Sequence, residues 1–385
     1  MPPGFQRAKT VRNTSNVGRL SPRSRTIEAR GTPILSVIVP FHTNVAHLTR
    51  CLGAVRAALD GSDLVAEVIV VADGASDDCS TLVGQMTGTL VRIPGPSGPA
   101  VARNRGAAAS RGSLLVFIDA DVAIHADGLR RLVAVFMAEA KVCAVFGAYD
   151  EEPHDQAFLS QGRNLAHSFV HQHSLRDAST FWAGLGAIRA AAFASVGGFD
   201  ERFTRPSVED IDIGYRLRAD GYQIVLDHTI RGKLLKHWPF WSALQTDLFD
   251  RGIPWTQLLY RYAAMRDDLN LSHSCRACVI VSYLALVFAV SAFWRPPLSW
   301  PALTCLLAML WLDWPYYAFF ARHRGVFFTM RWFPLRLLHH LSNGVSFAIG
   351  TCLFVFSRVA GARWPGALPN DSWQKQTVAV RSITL

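Results

Sequence analysis

The chain has 385 residues, half of them hydrophobic, with a formal net charge of +10 and a mean hydropathy of +0.18. Such a length admits two or three domains, and the apolar content is high for a soluble protein, which directs attention to membrane segments. The seven cysteines have no framework spacing, and the single CxxC (Cys275 and Cys278) opens an apolar helix with no second pair, which argues against a disulfide scaffold or a zinc site.

Charge is concentrated at the start. Residues 1–33 carry Arg7, Lys9, Arg12, Arg19, Arg23, Arg25 and Arg30 against Glu28 alone. The segment lacks the apolar core of a secretory signal. A disordered basic arm that lies on anionic lipid is expected. Nucleic acid is the other usual partner of such a patch, but no binding motif follows, so no nucleic-acid partner is expected.

From Ile34 to about Gly147 strands alternate with helices. The strands are Ile34–Pro40, the run from Ala66, Leu90–Ile93, Leu114–Ile118 and Lys141–Ala148; helices are expected over Val45–Leu59 and after Gly95. This order predicts an α/β fold with a mostly parallel central sheet covered on both faces, and ligands outside the carboxyl ends of its strands. Asp73, Asp119 and Asp121 all fall at such ends, so one cleft can hold all three. The run "LLVFIDADV" closes on two carboxylates two positions apart, which on an extended strand point the same way. Taken alone, it reads equally as a solvated turn or as a divalent-metal site.

Glu151–Arg189 is polar and then aromatic, as suits an acceptor-facing region. "SVEDIDIGYRLRADG" predicts a helix that starts at Ser207 and stops at Gly221. Trp238–Tyr262 mixes aromatic and charged residues, as either an interfacial amphipathic segment or a docked helix. Three apolar stretches follow, Ala277–Trp294, Trp300–Phe320 and Leu335–Phe356, each near the roughly 20 residues a bilayer span needs. Arg322, His323, Arg324 and Arg331 lie between the second and third, and the positive-inside rule places them, with the soluble domain, in the cytoplasm. Three spans, the favoured count, place the tail from Ser357 on the far side; the polar start of the third stretch, with Arg336, His339 and His340, leaves a re-entrant or interfacial helix with the tail inside as the alternative.

Six strings, "LSVIVPFH", "VADGASDD", "GPAVARNRG", "FIDADV", "VGGFDERF" and "VEDIDIGYRL", stand in the order and rough spacing of family 2 glycosyltransferases. Over about Leu35–Trp238 the chain resembles that family, with membrane helices behind it as in many membrane-bound members. The resemblance implies a single nucleotide-sugar-binding domain of GT-A type, followed by C-terminal transmembrane helices. It assigns Pro40 and Asp73 to the nucleoside, although Ala72-Asp73 keeps only one of the usual two acids in that turn; Asp77 and Asp78 read as caps of the next helix. It brings Arg103 near the base or diphosphate. Asp119-Ala120-Asp121 becomes the D-x-D motif, with Asp121 on Mg²⁺ or Mn²⁺ and Asp119 on the ribose or in support of the metal. Glu209-Asp210 resembles the acidic pair that carries the catalytic base, Asp210 in that role and Glu209 as orienter or substitute. Asp212 lies about 200° round the helix from Asp210 and reads as structural. His228 and His237 are left open between packing and a metal or diphosphate contact.

The expected organisation is a basic arm over 1–33, a catalytic domain over 34–240, an interfacial segment over 241–275, a transmembrane region over 276–356 and a tail over 357–385. The expected protein is a multi-pass inner-membrane enzyme with a cytoplasmic catalytic domain. It moves a single sugar, with inversion and metal dependence, from a nucleotide sugar (UDP-linked by preference) to a lipid or lipid-linked acceptor. The QxxRW signature of processive polysaccharide synthases is missing from "KLLKHWPFW" (Lys233–Trp241), which argues against chain extension. A synthase subunit and a degenerate membrane scaffold stay as alternatives. Nucleotidyl transfer would want a glycine- and arginine-rich signature near the chain start, which is not seen.

Overall fold

The structure is a computed structural model that describes residues 35–360 apart from 264–266 and 268. The basic arm and the tail beyond residue 360 lie outside the described residues. In chain order the elements are β1 (Leu35–Phe41), α1 (Val45–Asp60), β2 (Ala66–Asp73), α2 (Ser80–Gln85), β3 (Thr89–Ile93), α3 (Pro99–Ala109), β4 (Leu114–Ile118), β5 (Val122–Ile124), α4 (Gly128–Ala138) and β6 (Val142–Tyr149). Then come α5 (Phe158–Gln172), β7 (Leu185–Arg189), α6 (Ala190–Ser195), α7 (Glu209–Ala219), β8 (Gln223–Leu234), α8 (Phe240–Gln245), a π-helical turn (Thr246–Gly252) and α9 (Ile253–Tyr262). Helices α10 (His273–Ser291), α11 (Ser299–Leu312) and α12 (Trp314–Ala360) complete the fold.

Eight strands form one sheet in the order β3-β2-β1-β4-β7-β6-β8-β5. Pairs β1·β2, β1·β4, β2·β3 and β6·β8 are parallel, while β7 and β5 run against their neighbours. The expected mostly parallel α/β sheet is present; the two reversed strands are an addition to it. Both faces of the central strands are buried, which is why they read as unbroken apolar runs. Val37, Val70 and Val116 pack on the face covered by α1 and α4, whereas Ile38, Ile69, Val71, Leu115 and Phe117 pack on the other. The second face carries α3 and α7 at very short range. A Cβ on Gly106 of α3 would sit 2.3 Å from Ile38 Cγ2, and one on Gly214 of α7 would sit 2.4 Å from the Phe181 amide nitrogen.

The C-terminal helices correct the expectation of three spans. Among the described residues, two helices are long and apolar enough to cross a membrane, His273–Ser291 and Trp314–Val359. The expected second span, Trp300–Phe320, breaks at Asp313. Helix α11 stops at Leu312 after 14 residues, about 21 Å of rise against a hydrocarbon core of about 30 Å. Asp313 then binds Arg336 Nε at 2.8 Å and His340 Nε2 at 2.8 Å, so the end of α11 is tied to the middle of α12. The expected third span lies in the part of α12 beyond Gly325, whose non-helical backbone (φ 82°, ψ 164°) divides α12 into two helices at a kink. Its polar start is turned toward the soluble domain: Arg336, His339 and Asn343 line the large cavity described below. A multi-pass inner-membrane arrangement of three spans is therefore not supported.

Gly214→Ala places a methyl group against the Thr180–Phe181 backbone. It is expected to lower stability by about 1–3 kcal/mol, the usual range for overpacking. Chemical unfolding of the purified protein measures it, and an unchanged midpoint would contradict the close approach of α7.

Candidate active site

The topology gathers chemistry at one edge of the sheet. Strands β1, β2, β4, β6 and β8 end there, and the reversed strands β5 and β7 begin there, so the segments that follow or precede all of them converge. At the β2 end Asp73 is buried, and its carboxylate accepts the Ser97 and Gly98 amides at 2.8 and 2.7 Å, while its carbonyl meets His42 Nδ1 at 2.6 Å. Asp73 thus shapes the loop before α3. Gly98 needs its φ of 97° and its missing side chain, since a Cβ would come 2.5 Å from the Thr204 carbonyl. Pro40, His42, Asp73 and Pro96 together line one end of a cavity of about 900 Å³. Asp78 caps the next helix through the Ser80 amide at 3.0 Å, as expected. Asp77 turns the other way and accepts the Asn44 and Val45 amides at the start of α1.

Near that end lies an ion triad in which Arg103 and Glu209 are buried and Asp119 is partly exposed. Arg103 of α3 donates through Nη2 to Asp119 Oδ1 and through Nη1 to Glu209 Oε1, both at 2.7 Å. The other Glu209 oxygen accepts the Ser207 amide at 2.9 Å. Burial alone would favour loss of the Arg103 proton, but Asp119 and Glu209 hold it and push its pKa up. The guanidinium is fully engaged at its two terminal nitrogens, and only Nε lacks a partner among the described residues. Its role in the structure is to fix the D-x-D turn against the first residues of α7.

Asp119 and Asp121 do share the cavity, but not through strand alternation. The chain turns at this point, with the Val122 amide bonded to the Asp119 carbonyl at 2.9 Å, and the turn carries both carboxylates into the cavity. Burial, then the charge of Asp119, push Asp121 up to about 6. Asp210 opens α7 on the other side of the cavity. Burial and then Glu209 push it up to about 7, with Arg103 and Arg251 pulling back. Asp212 is buried and holds Arg216 at 2.8 Å and Tyr262 at 2.9 Å, a structural role.

Sequence reasoning missed much of the far wall. Lys236, after β8, stacks its ammonium 4.1 Å from the Trp238 ring centre, and Arg163 stacks at 4.3 Å. Burial pushes the Lys236 pKa down while Asp121 pulls it up. Arg163 grips Asp247 with two bonds of 2.7 and 2.8 Å. Arg251 reaches into the cavity from the π-helical turn. His167 and Trp182, with ring centres 4.9 Å apart, form an aromatic side; burial holds the His167 pKa well below the ordinary range. The one available signal was the charged set Asp247, Asp250 and Arg251 inside an otherwise aromatic stretch. His237 lines the cavity but is paired with Asp155 at 2.6 Å, and His228 is exposed and away from the lining.

The D-x-D turn suits a hard cation. Its donors are carboxylate oxygens, Asp121 has no side-chain partner among the described residues, and a dication would offset the burial and then the like-charge cost that lift its pKa. Cys278, Asp313 and His340 also lie within 4.8 Å of one another. There both Asp313 oxygens are already taken by Arg336, which supplies the positive charge.

Residues 36–203 match the family model described as Glycosyl transferase family 2. A validoxylamine A glucosyltransferase of Streptomyces hygroscopicus subsp. jinggangensis is 29% identical over 232 residues, 49% of this chain and 52% of that protein. A pre-mycofactocin glycosyltransferase of Mycobacterium tuberculosis is 28% identical over 202 residues, 49% of this chain and 40% of that protein. The chain spans about half the length, or less, of the curated relatives it matches. The solved mannosyltransferase PcManGT of Pyrobaculum calidifontis, in complex with GDP-Man and Mn²⁺, is 18% identical with a TM-score of 0.45, over 85% of this chain and 88% of that one.

Arg103→Met leaves two carboxylates without their shared cation. It is expected to destabilise the fold by about 3–5 kcal/mol, and Arg103→Lys is expected to recover only part, because an ammonium cannot bridge both acids as a planar fork does. Denaturant unfolding of the three proteins checks it; a wild-type midpoint for the methionine variant would contradict the triad's structural role.

Proposed function

We propose that the chain, which carries a glycosyl transferase family 2 domain over residues 36–203, transfers one sugar from a nucleotide donor to an acceptor hydroxyl with inversion. The observation that carries this reading is the single cavity lined by Asp73, Asp119, Asp121 and Asp210. The nucleoside lies at the end bounded by Pro40, His42 and Asp73, and the diphosphate at the D-x-D turn. Asp121 and Asp119 would hold a Mg²⁺ or Mn²⁺, which when bound neutralises charge on the leaving diphosphate. Asp210 lies seven residues beyond the family match and is the base. It takes the acceptor hydroxyl proton as that oxygen forms its bond to sugar C1, and the C1–O bond breaks with its electron pair leaving on the diphosphate. Glu209, pinned by Arg103 and Ser207, orients the start of α7.

The acceptor approaches from α12. Past Asp210 the cavity is walled by Trp332, Leu335 and Leu338 beside His339 and Asn343, an apolar surface with polar points. Exposed Ile280, Val287, Trp300, Trp311 and Phe327 on the C-terminal helices suit association with a membrane. A lipid or lipid-linked acceptor fits both. A second reading is an acceptor free in solution, in place of a lipid; curated relatives are named for validoxylamine A and pre-mycofactocin. Incubating the protein with a panel of nucleotide sugars, with and without membrane lipid extract, tests the proposal. Extract-dependent product supports the lipid acceptor, product on polar acceptors alone supports the second reading, and no consumption of any donor overturns the transferase reading.

Asp210→Asn is expected to lower turnover by about 10²–10⁴-fold with donor affinity retained. In the wild type, turnover should rise with pH through about 7, since below that value the base is protonated. A flat profile from pH 5.5 to 8.5 would remove Asp210 from the base role. Asp121→Asn, or excess EDTA on the wild type, should nearly abolish transfer; full activity in EDTA contradicts the metal assignment.

A further inference from the structure

The two helices long and apolar enough to cross a membrane, α10 and α12, have different surroundings. Helix α12 is docked on the soluble domain. Arg324, just before the kink, donates to the Glu151 carbonyl at 2.7 Å and to Gln161 Oε1 at 2.6 Å. Trp332 covers Gly162, where a Cβ would meet its ring at 2.1 Å. Ser346 donates to the Leu248 carbonyl at 3.2 Å, and a Cβ on Gly350 would come 2.7 Å from Thr256. Near the far end, Tyr260 of α9 stacks on Phe354 with ring centres 5.0 Å apart. A helix held against the soluble domain from Arg324 to Phe354 is not placed to cross a bilayer.

Helices α10 and α11 form an antiparallel hairpin, with Cys278 beside Asp313 and Ser282 Oγ 3.3 Å from Met309 Sδ. Its outer surface exposes Ile280, Leu284, Val287, Leu303, Leu307 and Trp311. Between Arg276 and Asp313 the only charged residue is Arg295, at the tip. The polar side chains turn inward to backbone carbonyls: Ser282 to Cys278 at 2.7 Å, Tyr283 to Leu341 at 2.8 Å and Thr304 to Trp300 at 3.0 Å. Hydrocarbon demands this, since it holds no water to pair with a polar group. A protein partner is normally met by an apolar centre with a polar rim, and this surface has no such rim. Trp294 and Trp300 flank Arg295 at the tip, while Trp311 and Trp314 stand at the base, the ring type that settles at membrane–water interfaces. Helix α10 rises about 28 Å over its 19 residues, close to the hydrocarbon thickness of about 30 Å. At the base, Asp313 with Arg336 and His340 is a charge cluster that limits how deep the hairpin can go.

We propose that the α10–α11 hairpin is the membrane-inserted element, and that lipid chains cover its outer surface. It enters tip-first and returns to the side it came from, while α12 stays on that side against the soluble domain. Arg336 belongs both to the charge cluster at the hairpin base and to the cavity lining, so this end of the cavity lies at the bilayer surface. The insertion does not depend on the acceptor used, and it stands even if the chain transfers no sugar.

The whole chain, reconstituted in vesicles of phosphatidylethanolamine and phosphatidylglycerol, tests this. The three cysteines that are not buried, Cys275, Cys305 and Cys352, are first replaced by alanine. Single cysteines are then introduced as Met137→Cys on the soluble domain, Val287→Cys and Leu307→Cys on the hairpin, and Arg358→Cys at the end of α12; all four positions are exposed. In vesicles where an impermeant maleimide labels Met137→Cys fully, Arg358→Cys is expected to react as fully. An environment-sensitive fluorophore at Val287→Cys or Leu307→Cys is expected to shift to the blue and to lose emission to nitroxides carried on the lipid chains. An Arg358→Cys that reacts only after detergent makes α12 a span and overturns the proposal. Fluorophores at both hairpin positions that the chain nitroxides do not quench also overturn it, whether water or a second copy of the chain covers the surface. Should a variant melt well below the wild type, Leu303→Cys or Val359→Cys takes its place in the same measurement.

Discussion

One guanidinium organises this site. Arg103 comes from the helix after β3, Asp119 from the end of β4, 16 residues on, and Glu209 from the start of α7, 106 residues on. Two carboxylates on separate elements will not stay buried near each other without a shared cation. With Arg103 between them, the D-x-D turn and the first turn of α7 are locked face to face. Asp121 and Asp210, the next acids along each segment, are left free to enter the cavity from opposite sides. Their raised pKa values follow from the same economy: Arg103 is held by Asp119 and Glu209, and burial acts on the two acids that remain.

The second constraint comes from the C-terminal helices. Asp313 ties the end of α11 to Arg336 and His340 of α12, and α12 in turn braces the π-helical turn through Ser346 and His339. The same helix presents Leu335, Leu338, His339 and Asn343 to the cavity. The helical region is therefore part of the wall of the site. Polar residues that look misplaced in a membrane span become reasonable once they face a cavity and one another.

Much of this was legible in the sequence. The apolar runs of β1, β2, β4 and β6, the helix at Val45, and acids at strand ends all follow from local pattern, because a parallel sheet buried on both faces writes itself as continuous apolar segments. The strands β5 and β7 were not legible: the first has three residues, and the second is set by pairing with β4 and β6 rather than by its own pattern. The D-x-D acids meet in one cavity through a turn, not through the alternation that first suggested it. Arg103 lines the cavity with the other site residues, but nothing local to "ARNRG" reveals that Glu209, more than a hundred residues on, completes its coordination. Lys236 and Arg251 were passed over because nothing local shows that their segments fold back onto the cavity, and the break at Asp313 depends on partners 23 and 27 residues away.

The central claim is that the turn at Asp119 and Asp121 aims its carboxylates at a metal-bound diphosphate. Crystals of the full chain grown with Mn²⁺ and pyrophosphate, measured at the manganese edge, address it directly. The account predicts an anomalous peak within coordination distance of Asp121, with Arg103 still bridging Asp119 and Glu209. A peak at Cys278, Asp313 and His340 instead, or a pyrophosphate bound with no manganese at the D-x-D turn, would contradict it.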